Sequence, residues 1–178
     1  MKALNSLPYY LAAIGLFLLL KFGYTFAGND DMRFLLAPTD TVVGILTGSH
    51  SVYASDTGYY HSSLNILIEK SCSGFNFMLL CFGLLTFVLL RPTHRPARKS
   101  LSLPLALGIS YLLTIFVNAS RITTAILVQR EANRFLSDRP HFLLHEIAGV
   151  LTHLTFLIII YYTTDRLLTN RNSNAKPT

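Results

Sequence analysis

Ser71-Cys72-Ser73-Gly74-Phe75-Asn76-Phe77 leads into an apolar run that extends from Gly74 to Leu90. A short polar stretch with a thiol meets a segment whose length approaches the roughly 20 apolar residues that cross a bilayer as a helix. Three further runs have the same character: Tyr9 to Phe26, Leu101 to Val117 and Leu143 to Tyr162. The pattern predicts an all-α integral membrane protein, a polytopic helical bundle with about four full spans. Short interfacial or re-entrant helices and a small extracytoplasmic strand and loop region complete the expectation.

Composition agrees. The chain has 178 residues, 51% of them hydrophobic and only 13% charged. One membrane-embedded domain over 1–178 is expected, with 164–178 as a flexible cytoplasmic tail. The first run lacks a small-residue cleavage site directly after a short core, so it reads as a retained helix or an uncleaved signal anchor. The net charge of +6 is no sign of nucleic-acid binding, because the basic residues collect on one predicted side of the membrane, as topology requires.

Between the first two runs lie Met32-Arg33-Phe34-Leu35-Leu36 and Thr41-Val42-Val43-Gly44-Ile45-Leu46, both too short to span. Pro38 is expected to break them apart, since the residue before a proline disfavours helix. Tyr53 to Tyr60 reads as a loop, and Leu64 to Glu69 as a strand leading into Cys72. Asn118, Ser120 and Arg121 interrupt the third apolar run, which resumes weakly over Ile122 to Val128. Lys21, near the end of the first run, is expected to snorkel to the interface.

Orientation follows from lysine and arginine in the short loops. The turn between the second and third runs carries Arg91, Arg95, Arg98 and Lys99 without an acid, and the C-terminal segment adds Arg166, Arg171 and Lys176. Both termini and this turn are therefore expected in the cytoplasm. Cys72, Arg121 and His145 then all fall at the outer ends of apolar segments.

That coincidence suggests chemistry. A thiol at a helix N-terminus feels the positive end of the helix dipole, which favours the thiolate. Cys72 is the candidate nucleophile, with the backbone N–H groups of Ser73 and Gly74 as candidate oxyanion donors. Arg121 would stabilise the oxyanion or hold the substrate, and His145 would serve as general acid and base. The bland readings are a structural cysteine, a snorkelling arginine and an interfacial histidine bonded to a backbone carbonyl. Cys81, inside the second run, is about 13 Å of helical rise from Cys72, too far for a disulfide. His141 and His145 share an i, i+4 spacing with His153 deeper, but Gly149 stands where a His-Glu-x-x-His zinc motif needs its second histidine. No Walker-type phosphate loop is present, and no cofactor is expected.

Ser71-Cys72-Ser73-Gly74, Asn118-Ala119-Ser120-Arg121-Ile122 and His145-Glu146-Ile147-Ala148-Gly149, in this order and on one membrane side, together resemble the exosortase/archaeosortase family of membrane-embedded transpeptidases. Pro38-Thr39 also fits. The resemblance covers roughly residues 31 to 160 and looks most like compact variants such as exosortase K. It implies a bacterial cytoplasmic-membrane cysteine transpeptidase or protease with its active site facing outward. The implied partner is an exported protein carrying a C-terminal signal of a short motif, a transmembrane helix and a basic cluster. Cys72 would form a thioacyl enzyme there, and an acceptor amine or hydroxyl would release the product onto a new anchor. Arg121 and His145 match the family's arginine and histidine. The larger members have more helices, so a partner or a homo-oligomer would complete the substrate groove. The alternative is a non-enzymatic membrane assembly or transport subunit, with the polar residues at helix ends as packing contacts and interface anchors.

Overall fold

Among the described residues the chain forms five α-helices and one small sheet. The computed structural model describes the backbone of residues 6–91, 96–135 and 141–174, and the side chains within these except 129–135, 141–148 and 168–174. The order is α1 (Leu7–Phe26), α2 (Arg33–Thr47), β1 (Val52–Ala54), β2 (Gly58–His61), β3 (Ile66–Ile68), a single 3₁₀ turn (Lys70–Cys72), α3 (Phe75–Leu90), α4 (Pro96–Phe135) and α5 (His141–Asn174). Among the described residues, three helical segments are long and apolar enough to cross a membrane: Leu7–Phe26, Lys70–Leu90 and Pro96–Val128. The sequence pattern predicts about four against these three; the fourth run falls on α5, of which the side chains of 141–148 and 168–174 lie outside the described residues.

The contacts divide the chain into two compact units. One comprises Met1–Thr25, Asn76–Leu112 and Thr155–Thr178; the other comprises Phe26–Phe75 and Leu113–Leu154. In the first, α1 is apolar all round and buries only Ala13, as a lipid-facing helix does. Lys21 does not snorkel freely: its Nζ donates to Asn76 Oδ1 at 2.6 Å and lies over the Tyr24 ring. Lys99 is buried and donates to Ser6 Oγ at 2.8 Å. The Tyr9 hydroxyl donates to the Pro96 carbonyl.

In the second unit, α2 corrects the expectation of a break at Pro38. The helix runs through the proline, and Leu35, Leu36, Thr39, Asp40 and Val43 bury one of its faces. A proline in a helix interior costs about 3 kcal/mol. Burying three aliphatic side chains at about 1.5–3 kcal/mol each outweighs that. The expected loop over Tyr53 to Tyr60 is instead a hairpin. β1 pairs antiparallel with β2, Tyr53 opposite Tyr59, and β2 pairs antiparallel with β3, Tyr60 opposite Leu67. Gly58 makes the hairpin possible, because its φ is +98° and a Cβ there would stand 2.5 Å from the Ile68 carbonyl oxygen. The predicted strand is present as β3, the edge opposite β1 in the order β1-β2-β3.

Asn29 ties this sheet down. Its Nδ2 donates to the Ser55 and Asp56 carbonyls at 3.2 Å, and its Oδ1 accepts from the Lys70 N–H at 2.8 Å. The Lys70 Nζ donates to the Ala27 carbonyl at 2.6 Å. One residue thus fixes both the hairpin tip and the start of the 3₁₀ turn that ends at Cys72. Beside it, the Tyr53 hydroxyl donates to Asp30 Oδ1, and Arg33 stacks over the Tyr53 ring at 4.6 Å.

α4 is one helix of 40 residues, about 60 Å long, twice the roughly 30 Å hydrocarbon thickness. The expected interruption at Asn118 to Arg121 does not occur. Those residues lower the hydropathy without breaking the helix, and Ser120 returns its hydroxyl proton to the Phe116 carbonyl.

Candidate active site

Cys72 is the last residue of the 3₁₀ turn, three residues before α3 begins. Its N–H donates to the Glu69 carbonyl at 2.8 Å, and the Ser73 N–H donates to the Lys70 carbonyl at 3.0 Å. The Ser73 N–H is therefore occupied, which corrects its expected role as an oxyanion donor. Ser73 is fully buried, and its hydroxyl accepts from the Phe75 N–H at the start of α3. The Cys72 thiol is half-buried and free, with Ser71 Oγ 3.7 Å from its sulfur. Cys81 is also free, and it is fully buried in α3.

Gly74 joins the turn to α3 in a left-handed conformation with φ +71°. A Cβ there would lie 3.0 Å from Thr114 Cγ2 and 3.1 Å from Asn118 Cγ. Only glycine satisfies both the dihedral and this approach to α4. The close approach brings the Asn118 Nδ2 to the Cys72 carbonyl oxygen, to which it donates at 2.5 Å. Asn118 is fully buried, and its Oδ1 has no hydrogen-bond partner among the described residues. Asn118 stands one turn before Arg121, where i, i+3 positions share a helix face, but its role depends on the contact with Cys72, 46 residues earlier, which no local pattern announces.

On that face of α4, Ile122, Ala125 and Ile126 line a cavity of about 230 Å³ with Ile66, Leu67 and Ile68 of β3, and Cys72 forms part of its wall. Arg121 adjoins this stripe. Its Nε is buried with no hydrogen-bond partner among the described residues. The Arg121 side chain packs against α5 at Gly149, where an added Cβ would meet its Cδ at 3.4 Å and its Nη1 at 3.5 Å. Cys72 thus meets α4 at Asn118 and at the cavity wall, while Arg121 extends from the next turn of α4 toward Gly149 and is not among the residues lining that cavity. His145 stands on α5 one turn before Gly149, and its side chain lies outside the described residues. His153, one turn after Gly149, is half-buried within electrostatic reach of Arg121. Among the described residues, no group of three or more His, Cys, Asp or Glu is disposed to hold a metal ion.

A second polar cluster was missed from sequence. Fully buried His61 contacts Asp40 Oδ1 through Nε2 at 2.8 Å and Ser49 Oγ through Nδ1 at 2.9 Å. Ser51 donates to Asp40 Oδ2 at 2.8 Å, and a cavity of about 430 Å³ opens beside the group. This set has the members of a serine hydrolase triad but not its polarity. Thr47 donates its hydroxyl proton to the Val43 carbonyl, so the 2.6 Å contact between Thr47 and Ser49 has Ser49 as donor. Ser49 must then accept from His61 Nδ1 and has no proton directed at a base. The cluster is a hydrogen-bonded staple between α2 and β2. No spacing in the sequence announces it, because Asp40 and His61 meet only through the fold.

No curated protein and no solved structure matches the chain. The model of the transmembrane exosortase family (Exosortase_EpsH) matches residues 5–162. With its membrane-length helices and a match over most of its length, this chain belongs to the transmembrane exosortase family.

Proposed function

We propose that this chain is a cysteine transpeptidase or protease that cleaves a C-terminal sorting signal of exported proteins. The observation that supports it most is the placement of Cys72: its carbonyl is held by Asn118, its side chain walls an apolar cavity, and one turn beyond Asn118 on α4 stands Arg121, half-buried with a buried Nε. In the proposed reaction the Cys72 thiol gives its proton to His145, the sulfur attacks a substrate carbonyl carbon, and negative charge collects on the carbonyl oxygen. Arg121, with an Nε–H not engaged by other described residues, carries that charge. With the Ser73 N–H occupied, the guanidinium and the remaining backbone candidate, the Gly74 N–H, supply the stabilisation in this scheme. His145 protonates the leaving amine as the C–N bond breaks. In the second half it takes the proton from an acceptor amine or hydroxyl that attacks the thioester.

Positions four apart on a helix share a face, so the packing of Gly149 on Arg121 supports placing His145 on the same side. By the basic-loop argument both termini are cytoplasmic and the site faces outward from a bacterial cytoplasmic membrane. The chain works as a single membrane-embedded domain, with a partner or a second copy completing the substrate groove.

The test is co-expression with a cognate signal-bearing protein. Cys72→Ala is expected to abolish processing while the variant accumulates in the membrane. Arg121→Ala is expected to lose most of it, and Arg121→Lys to recover little, because lysine cannot reproduce a planar guanidinium contact. Unchanged processing in Cys72→Ala would leave the non-enzymatic assembly or transport role in its place.

A further inference from the structure

Strand β3 ends two residues before the turn that carries Cys72, and it is an edge strand: β2 pairs with one side of it, and no strand pairs with the other among the described residues. Successive side chains of a strand point to opposite faces. A single cavity reached by Ile66, Leu67 and Ile68 must therefore run along the edge of the strand. Since β2 covers one edge, it is the open edge that meets the cavity, with Ile122, Ala125 and Ile126 of α4 as the far wall and Cys72 at the end toward which β3 runs. An unpaired edge of backbone N–H and C=O groups is a template for another extended chain.

We infer that the substrate segment presented to Cys72 binds extended, as an added strand on β3, with an apolar side chain next to the scissile bond held in the cavity between β3 and α4. This deepens the proposed reaction and rests on Cys72 as its nucleophile. Among the lining side chains none is charged, and the thiol is the one polar group they offer. An apolar cavity of about 150 Å³ is enough to hold benzene, so the 230 Å³ here takes a side chain from leucine to phenylalanine. The polar backbone of the substrate meets the strand edge, and its carbonyl is carried along β3 toward the sulfur. A lipid acyl chain or a second copy of the protein would match the apolar wall but would make no use of the strand edge.

The experiment measures alkylation of Cys72 in the full-length protein by peptidyl chloromethyl ketones, with peptide mapping by mass spectrometry to locate the label. The residue beside the warhead is leucine or its neutral isostere asparagine. The leucine probe is expected to react about tenfold faster or more, the ratio that burying one such side chain provides. N-methylation of the probe backbone at the residues facing β3 is expected to slow it about fivefold, the worth of one lost hydrogen bond. Ala125→Phe, which fills the cavity, should abolish the leucine preference while the far-UV circular dichroism of the variant matches the wild type. Equal rates for the leucine and asparagine probes, or no effect of N-methylation on wild-type protein, overturn the inference and leave the nucleophile intact, the result expected if lipid or a second copy fills the cavity. Failure of iodoacetamide to label Cys72 in the folded protein overturns the cysteine-enzyme reading itself.

Discussion

Replacing Gly74 by alanine tests the geometry that joins the Cys72 turn to α4. Its φ of +71° lies in the left-handed region, which costs an L-residue about 1–2 kcal/mol. The new methyl would sit 3.0 Å from Thr114 Cγ2 and 3.1 Å from Asn118 Cγ, so α4 or the turn must shift, at about 1–3 kcal/mol for an overpacked interior. Together these predict a loss of about 2–5 kcal/mol. The matched control is Gly83→Ala, where an added Cβ meets nothing within 4 Å and helix propensity favours alanine. The chain has no tryptophan, so unfolding in mixed detergent micelles is best followed by far-UV circular dichroism. Thr114→Ser removes the nearer of the two contacts. In that background the cost of Gly74→Ala should fall by about 1 kcal/mol, read as a coupling energy in a double-mutant cycle. If Gly74→Ala unfolds within about 1 kcal/mol of Gly83→Ala, the turn does not pack on α4 as described and the positioning argument for Cys72 fails with it.

Further perturbations separate the roles of the neighbouring residues. Asn118→Ala is expected to cost only about 1 kcal/mol, because its buried Oδ1 already lacks a partner, yet to reduce processing sharply by releasing the Cys72 carbonyl; processing at the wild-type rate would make Asn118 a packing residue only. Gly149→Ala should be tolerated, since the added Cβ meets Arg121 at ordinary contact distances of 3.4 and 3.5 Å, whereas Gly149→Leu should displace the guanidinium and lower activity as Arg121→Ala does. His61→Phe breaks the pair with Asp40 and strands a buried carboxylate, with an expected loss of about 3–5 kcal/mol in the same unfolding assay. The Tyr53 hydroxyl donates to the Asp30 carboxylate, which pushes its pKa up to about 12. That bond contributes to stability below the ordinary tyrosine value near 10 and is lost as pH rises through about 12. Tyrosine ring carbon NMR should show the Tyr53 midpoint falling toward the ordinary value in Asp30→Asn.

The long apolar runs were legible because lipid demands them, and the starts of α1 and α3 fall within two residues of where the hydropathy places them. What hydropathy misread were sites where tertiary packing overrides a local signal. Pro38 signals a break, but the buried face of α2 carries the helix past it. Asn118 and Arg121 signal the end of a span, but on a helix they place polar groups on a face that meets Cys72 and α5. The hairpin was hidden because its strands are only three and four residues long, too short for a period-two pattern to register. Of the site, Cys72 and Arg121 could be picked out by residue type and position at helix ends. Asn118 and the Asp40–His61–Ser49 cluster could not, because their roles depend on contacts between segments far apart in sequence, which no local pattern encodes.

A covalent bond between the Cys72 sulfur and substrate is visible to rapid acid quenching of the enzyme co-expressed with its signal-bearing protein, followed by peptide mapping of the Cys72 region. The expected result is a hydroxylamine-sensitive adduct on Cys72 with the mass of the acyl residue of the substrate fragment upstream of the cleavage point, absent from Cys72→Ala and accumulating when the acceptor is withheld. Processing that continues in Cys72→Ala, with no hydroxylamine-sensitive adduct in the wild type, would contradict it.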